Sequence, residues 1–139
     1  MKKNESITKI MSANVATVQL GQPLSDVRKL MCNAHFHHIP VVEGKKLVGL
    51  VSFTDLMKIN VLISGADERN VDTIIDQQFR IADIMSTGLI TIRQTDTIRQ
   101  AAELLTKGHF HSLPVVDNEE SVVGIVTTTD LIHYLSNQY

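Results

Sequence analysis

The chain has 139 residues, of which 43% are hydrophobic and 20% charged, and it contains no Trp. A chain of this size can bury a sizeable core, and the composition excludes disordered, collagen-like and coiled-coil proteins. The formal net charge of −2 lacks the basic excess that binding to a phosphate backbone needs, so nucleic acid is not expected as a partner.

The N-terminus predicts no targeting segment. Two lysines follow Met1, but no continuous apolar run follows them, and no stretch of the chain approaches the length of a membrane span. The single cysteine, Cys32, excludes an intrachain disulfide and a paired-cysteine zinc site, and it fits a reducing compartment. We therefore expect a cytoplasmic protein with no membrane insertion.

The first predicted elements follow from local patterns. Ala16–Val18 is a short β-branched run, which predicts a strand. Apolar residues then recur on one helical face from Leu24 to Ala34, and Pro23 suits the first position of that helix.

A hairpin and a second helix follow. Ile39–Glu43 and Leu47–Ser52 flank an acidic turn and predict two paired strands. Thr54 and Asp55 then open a helix with an acid in its first turn. Residues 64–80 are predicted to be a linker that could itself contain a helix.

The rest of the chain repeats this order. Three segments recur 74 or 75 residues later: Ile7–Ser12 as Ile81–Ser86, His35–Val42 as His109–Val116, and Leu47–Leu56 as Val122–Leu131. The second copy predicts a strand at Ile90–Ile92, a helix from Ile98 for which Asp96 is the predicted cap, a hairpin, and a last helix opening at Asp130. The repeats are placed at residues 1–63 and 81–139.

Each copy therefore reads strand, helix, strand, strand, helix, which predicts an α+β fold. A repeat of about 50 to 60 residues is marginally stable alone, so the two sheets are expected to pack together about a pseudo-twofold axis. Gly49 and Gly124 lie inside apolar strands, where glycine often indicates close approach by a ligand or another chain.

Three motifs of the second copy, each with a partner in the first, resemble the CBS domain family: Asp83–Ser86, Leu113–Asp117 and Gly124–Asp130. The tandem arrangement resembles a Bateman module. Two departures are that Lys9 replaces the acid of the second copy, and that Ser52-Phe53 stands where the second copy has Thr127-Thr128.

The resemblance implies a regulatory module without catalytic residues or a required cofactor. It implies binding of an adenosyl ligand in clefts between the paired repeats, with AMP, ADP or ATP expected first and S-adenosylmethionine or NAD as alternatives. It also implies a homodimer that signals to a partner enzyme or transporter.

The family's ribose-binding carboxylate carries over to Asp55 and Asp130. The two oxygens of a carboxylate can accept hydrogen bonds from both hydroxyls of a vicinal diol. The alternative is that each aspartate only stabilises the start of its helix. Ser52 and Thr127, three residues earlier, could place a hydroxyl and backbone N–H groups near a phosphate, or could simply cap the helix.

The resemblance assigns the adenine side of each site to a threonine and an apolar-proline pair: Thr17, Ile39 and Pro40 in the first copy, and Thr91, Leu113 and Pro114 in the second. The alternatives are ordinary strand threonines and core packing.

Five of the six histidines precede the proline strands. Residues i and i+2 of an extended chain share a face, which pairs His35 with His37 and His109 with His111. We predict that His109 and His111, with His37 as a further contact, help to hold phosphate, so that affinity falls above about pH 7. A plain solvated loop is the main alternative, a zinc or nickel site formed by these four histidines is a weaker one, and no metal is expected.

Two other functions remain open. The chain could be a constitutive dimerisation module with empty clefts, in which case nucleotides would not affect its stability. It could be a metal-dependent hydrolase, which only the histidines support, because the sequence has no Ser-His-Asp order, Walker loop or paired-carboxylate site.

Overall fold

The structure, a computed structural model, describes residues 4–34, 36–62, 68–108 and 110–139. Its strands and α-helices, in chain order, are β1 Val18–Gln19, α1 Leu24–Asn33, β2 His38–Glu43, β3 Lys46–Ser52, α2 Phe53–Leu62, α3 Val71–Gln78, α4 Ile81–Ile84, β4 Ile92–Arg93, α5 Ile98–Lys107, β5 Ser112–Val116, β6 Val122–Thr127 and α6 Thr128–Ser136. Short 3₁₀ turns occur at Ile7–Lys9 and Glu68–Asn70. No helix of the described ranges is long and apolar enough to cross a bilayer.

The predicted α+β fold and the order of elements in each copy are confirmed. Two three-stranded sheets form, with orders β1-β2-β3 and β4-β5-β6. In each sheet the first pair is parallel and the second antiparallel, and the middle strand has an irregular register near its end, at Val41/Val42 and Val115/Val116.

The first strand of each copy is shorter and later than predicted. β1 pairs Val18 with Val41, and β4 pairs Ile92 with Val115, in each case one residue past a proline. Because proline has no N–H to donate, the parallel ladder does not continue before Pro40. The strand predictions for Ala16–Val18 and Ile90–Ile92 were therefore wrong at both ends.

The chain divides into two compact units that do not coincide with the sequence repeats. The terminal unit comprises residues 1–15 and 90–139, and the central unit comprises residues 16–89. Each unit combines the main part of one repeat with the opening segment of the other. The opening segments are Ile7–Ser12, which lies in the terminal unit, and Ile81–Ser86, which lies in the central unit. Ser12 forms a β-bridge with Ile125 in the terminal unit, and Ser86 forms one with Leu50 in the central unit.

Each unit has its own apolar core. The buried core residues of the central unit are Val18, Leu24, Val27, Met31, Ile39, Val41, Val51, Leu56, Ile59, Val71, Ile75 and Ile81. Those of the terminal unit are Ile7, Ile92, Ile98, Ala101, Leu113, Val115 and Val126. Ile7 and Ile81 are both fully buried, so each opening segment contributes an isoleucine to the core of the unit it joins.

Two predicted helix starts are corrected. Pro23 is the N-cap of α1 rather than its first residue, and it supplies no side-chain cap. Thr97, not Asp96, caps α5, because its hydroxyl accepts from the Gln100 N–H while Gln100 Oε1 accepts from the Thr97 N–H. The carboxylate of Asp96 instead accepts from the backbone N–H of Arg93.

The two strand glycines lie under the methionines of the opening segments. A Cβ on Gly124 would lie 2.7 Å from Met11 Sδ and 2.9 Å from the carbonyl oxygen of Ser12, and a Cβ on Gly49 would overlap Met85 Sδ. The predicted close approach therefore exists, but the chain's own opening segments make it, rather than a ligand or another chain.

The terminal unit also ties its last helix to the N-terminal segment. The hydroxyl of Tyr134 donates to the carboxylate of Glu5, and this hydrogen bond raises the pKa of Tyr134.

Candidate ligand-binding site

In the central unit, the turn from β3 into α2 holds Asp55 in a reciprocal cap. The hydroxyl of Ser52 accepts from the Asp55 N–H at 3.1 Å, and Oδ2 of Asp55 accepts from the Ser52 N–H at 2.9 Å. The Ser-x-x-Asp spacing produces this arrangement locally, since the two side chains satisfy N–H groups that a helix start leaves unpaired.

His37 is joined to the same turn. Its carbonyl oxygen accepts from the N–H of Phe53, the first residue of α2, at 2.8 Å. Its ring meets the Phe53 ring edge-on, with centroids 5.9 Å apart and planes at 78°. We call His37, Ser52, Phe53 and Asp55 the central half-site.

The terminal unit reproduces this geometry. Oδ2 of Asp130 accepts from the Thr127 N–H at 2.8 Å, and Thr127 Oγ1 accepts from the Asp130 N–H at 3.1 Å. The carbonyl of His111 accepts from the Thr128 N–H at 2.9 Å. We call His111, Thr127, Thr128 and Asp130 the terminal half-site.

Both aspartates are half-buried and use only one oxygen in the cap. Within the described residues, no hydrogen bond reaches Oδ1 of Asp55 or of Asp130. The capping role and an additional ligand contact are therefore compatible, since each carboxylate retains an acceptor oxygen.

The backbone donors at the two helix starts are largely in use. The first N–H of each helix donates to a histidine carbonyl, and the third donates to the capping hydroxyl of Ser52 or Thr127. A phosphate at either turn would therefore depend mainly on side chains. The imidazoles of His37 and His111 are exposed beside these turns.

The structure divides the residues predicted for the adenine side. Ile39 and Leu113 are fully buried in the two cores, each beside a buried proline. Thr17 and Thr91 are exposed and lie just before the first strands. Core packing therefore accounts for the apolar pairs, and their role as adenine walls stays a prediction.

Two predicted residues, His35 and His109, lie outside the described residues. Among the residues that are described, no group of three or more His, Cys, Asp and Glu side chains is arranged to hold a metal ion.

Phe53 and Thr128 belong to the half-sites although the sequence reasoning did not propose them as site residues. The available signal was their position directly after the capping hydroxyl, together with the mismatch between Ser52-Phe53 and Thr127-Thr128. Only the structure shows that this residue bonds to the histidine.

Comparison with known proteins identifies the two repeats. The family model for the CBS domain matches residues 7–61 and 81–137. YhcV, a CBS domain-containing protein of Bacillus subtilis, is 30% identical over 134 residues, which are 96% of this chain and 88% of YhcV. The chain spans only 48%, 23% and 38% of the length of the first three curated relatives it matches.

Solved structures show the same fold. The CBS domain pair of protein MJ0100, in complex with 5′-methylthioadenosine and S-adenosyl-L-methionine, superposes with a TM-score of 0.76 at 24% identity, covering 94% of this chain and 98% of that one. The cytosolic domain of the Mg²⁺ channel MgtE, in complex with ATP, gives 0.72 at 26% identity, covering 94% of this chain and 48% of that one. With both repeats matched and the fold of a CBS domain pair, this chain belongs to the CBS domain family.

Proposed function

We propose that this chain is a regulatory module that binds adenosyl ligands at its two half-sites and signals to a partner protein. The observation that carries the proposal is the repeated carboxylate: Asp55 and Asp130 have the same local geometry, and each keeps one oxygen outside its cap. A carboxylate oxygen held rigidly in this way is suited to accept from a ribose hydroxyl.

The ligands of the solved relatives support an adenosyl compound. ATP, 5′-methylthioadenosine and S-adenosylmethionine share adenine and a ribose with a free diol, and they differ in the substituent at the 5′ carbon. The shared diol is the group that Asp55 and Asp130 would recognise. We expect AMP, ADP or ATP as the first ligands to test, because exposed histidines lie beside both half-sites.

The remaining roles follow from position. Ser52 and Thr127 orient the aspartates through the caps, and His37 and His111 contact the 5′ substituent. The adenine side is assigned to Thr17, Ile39, Pro40, Thr91, Leu113 and Pro114. A ligand changes what the partner reads only if it binds one shape of the module more tightly than another.

Calorimetric titration with ATP and 5′-methylthioadenosine tests the binding. Asp55→Asn and Asp130→Asn keep an amide oxygen for the cap but lose the charge and the second carboxylate oxygen, so each should weaken binding of at least one compound. Asp83→Asn and Asp96→Asn are matched controls, since these carboxylates accept from backbone N–H groups at 2.8 and 2.9 Å but belong to neither half-site.

The controls should bind like the unmodified protein. Unchanged affinity for both compounds in both half-site variants, or no binding by the unmodified protein, would overturn the proposal.

A second candidate function is a constitutive interaction module. Ile132 and Leu135, one turn apart on α6, are 63% and 45% exposed, so they form a small apolar face on this helix. Such a face favours a homodimer. Ile132→Glu should then lower the molar mass measured by light scattering, whereas His133→Glu, an exposed control on the same helix, should not. Association that is independent of all nucleotides would favour this second function.

A further inference from the structure

The two half-sites share a backbone geometry but present different chemistry beside the aspartate. The donor–acceptor distances of equivalent hydrogen bonds in the two caps differ by no more than 0.1 Å. The difference lies at the first residue of the helix, which is Phe53 in the central half-site and Thr128 in the terminal one. A ligand selectivity inferred from this difference rests on the proposed function, because it concerns which adenosyl ligand each half-site takes.

The central half-site presents an aromatic surface. The side chain of Phe53 is 40% exposed although its backbone N–H is fixed to the His37 carbonyl. The His37 ring packs edge-on with the Phe53 ring. The central half-site therefore exposes a phenyl ring, with an imidazole against it, two residues before Asp55.

The terminal half-site presents small polar groups. Thr128 is half-buried, and its hydroxyl donates to the His111 carbonyl at 3.2 Å, so it turns back onto its own turn. The described residues place no aromatic ring against the imidazole of His111. This surface is therefore polar, and the imidazole of His111 is exposed beside it.

These surfaces favour different 5′ substituents. A phosphate beside a phenyl ring loses hydration and gains no donor from the ring. A thioether gains apolar contact there, and sulfur near an aromatic ring is additionally favourable. Beside His111, in contrast, a phosphate can accept a hydrogen bond from an exposed imidazole that has no aromatic ring against it among the described residues.

We propose that Phe53 makes the central half-site selective for adenosyl ligands with an uncharged 5′-thioether, whereas the terminal half-site takes adenosine phosphates. The module then binds the two classes at the same time. Its probes are 5′-methylthioadenosine and ATP.

The assignment is tested by titrating each compound into each aspartate variant. Asp55→Asn should weaken the binding of 5′-methylthioadenosine and leave the affinity for ATP unchanged. Asp130→Asn should weaken the binding of ATP and leave the affinity for 5′-methylthioadenosine unchanged. Saturation with one compound should leave the affinity for the other unchanged, since the two occupy different half-sites.

The residue itself is tested by a reciprocal exchange. Phe53→Thr should weaken the binding of 5′-methylthioadenosine about tenfold, which corresponds to the upper range of the energy of one aromatic contact. Phe53→Leu, which keeps apolar volume without a ring, should lose part of that affinity. Thr128→Phe should weaken the binding of ATP and leave the affinity of the central half-site for 5′-methylthioadenosine unchanged.

The failures are distinguishable. If both compounds bind and each aspartate variant weakens them equally, or if Phe53→Thr leaves 5′-methylthioadenosine unaffected, the selectivity is overturned while the proposed function stands. Binding of only one compound also overturns the selectivity. If no aspartate variant weakens either compound, the proposed function itself fails.

Discussion

The central and terminal units each contain a sheet of the same topology, but they stabilise the start of their first helix in different ways. In the terminal unit Thr97 caps α5 with its own hydroxyl. In the central unit the equivalent position is Pro23, which has no capping side chain. There the carboxylate of Asp76 in α3 accepts from the N–H and the hydroxyl of Ser25, at 2.8 and 2.7 Å.

The linker therefore completes the central unit. Asp72, also in α3, pairs with Arg28 of α1 at 3.0 Å. In the terminal unit the N-terminal segment meets the start of α5 directly, since the Ile98 N–H donates to the Glu5 carbonyl and the Ile7 N–H to the Asp96 carbonyl. The difference teaches that a cap missing from one repeat can be replaced by a tertiary contact from outside it.

Loss of the core contacts made by the exchanged opening segments should lower the free energy of unfolding more than any other change considered below. Ile7→Ala should destabilise the protein by about 3 kcal/mol, typical of a buried isoleucine truncated to alanine. Because Ile7 lies in the terminal core, hydrogen exchange should accelerate more in β5 and β6 than in β2 and β3. Ile81→Ala should show the opposite pattern. Faster exchange in β2 and β3 on truncation of Ile7 would contradict the exchange of segments.

The two strand glycines should respond unequally. In urea unfolding, Gly124→Ala should lower the free energy of unfolding by about 2 kcal/mol, and Gly49→Ala should lower it by about 1 kcal/mol. The added Cβ at Gly124 meets a backbone carbonyl that is itself paired with Ile125, whereas at Gly49 its three nearest atoms all belong to the flexible side chain of Met85.

Gly21→Ala is the control for both, because nothing lies within 4 Å of a Cβ there. Its effect should stay within about 0.5 kcal/mol. Equal costs at Gly49 and Gly124 would show that the carbonyl of Ser12 does not restrict the site.

The two ways of capping the first helix should also differ in energy. Asp76→Ala should cost about 2 kcal/mol, because it removes both hydrogen-bond partners of the buried Ser25. Thr97→Ala, which removes an exposed local cap, should cost about 1 kcal/mol.

Asp72→Ala is the matched control on α3. It breaks an ion pair whose two side chains are 28% and 39% exposed, so its cost should be at most about 1 kcal/mol. Thermal unfolding of the three variants ranks them, and an Asp76→Ala effect no larger than that of Asp72→Ala would refute the tertiary cap.

The smallest expected effect concerns ligand affinity. In calorimetric titrations His111→Gln should weaken ATP binding a few-fold, because the imidazole is exposed beside the terminal half-site and can donate a hydrogen bond to phosphate. His37→Gln should leave the ATP affinity unchanged. Equal ATP affinities of His111→Gln and the unmodified protein would exclude His111 as a phosphate contact.

Several features of the fold were readable from sequence because their causes are local. The order of strands and helices follows from apolar periodicity, and the repeat shows it twice. Asp55 and Asp130 stood out because a hydroxyl three residues before an acid at a helix start is a capping signature. The same signature left open whether each aspartate also contacts a ligand, since one local geometry serves both roles.

The features that were mistaken or missed depend on residues far apart in the chain. The first strands begin where a partner backbone can pair with them, and a short apolar run does not contain that information. The cap of α1 comes from Asp76, 51 residues after Ser25. Phe53 became part of a half-site only through its contact with His37.

The amino-acid sequence by itself determined that this protein is a duplicated α+β unit of the CBS family with an aspartate at the start of each closing helix. These properties depend on periodicity, capping chemistry and self-similarity within short segments. The tertiary structure decided that each opening segment completes the core of the other repeat, and that the two helix starts differ in the group beside the aspartate. Those outcomes depend on packing between distant segments, where shape and hydrogen-bond complementarity select one partner among several of equal local propensity.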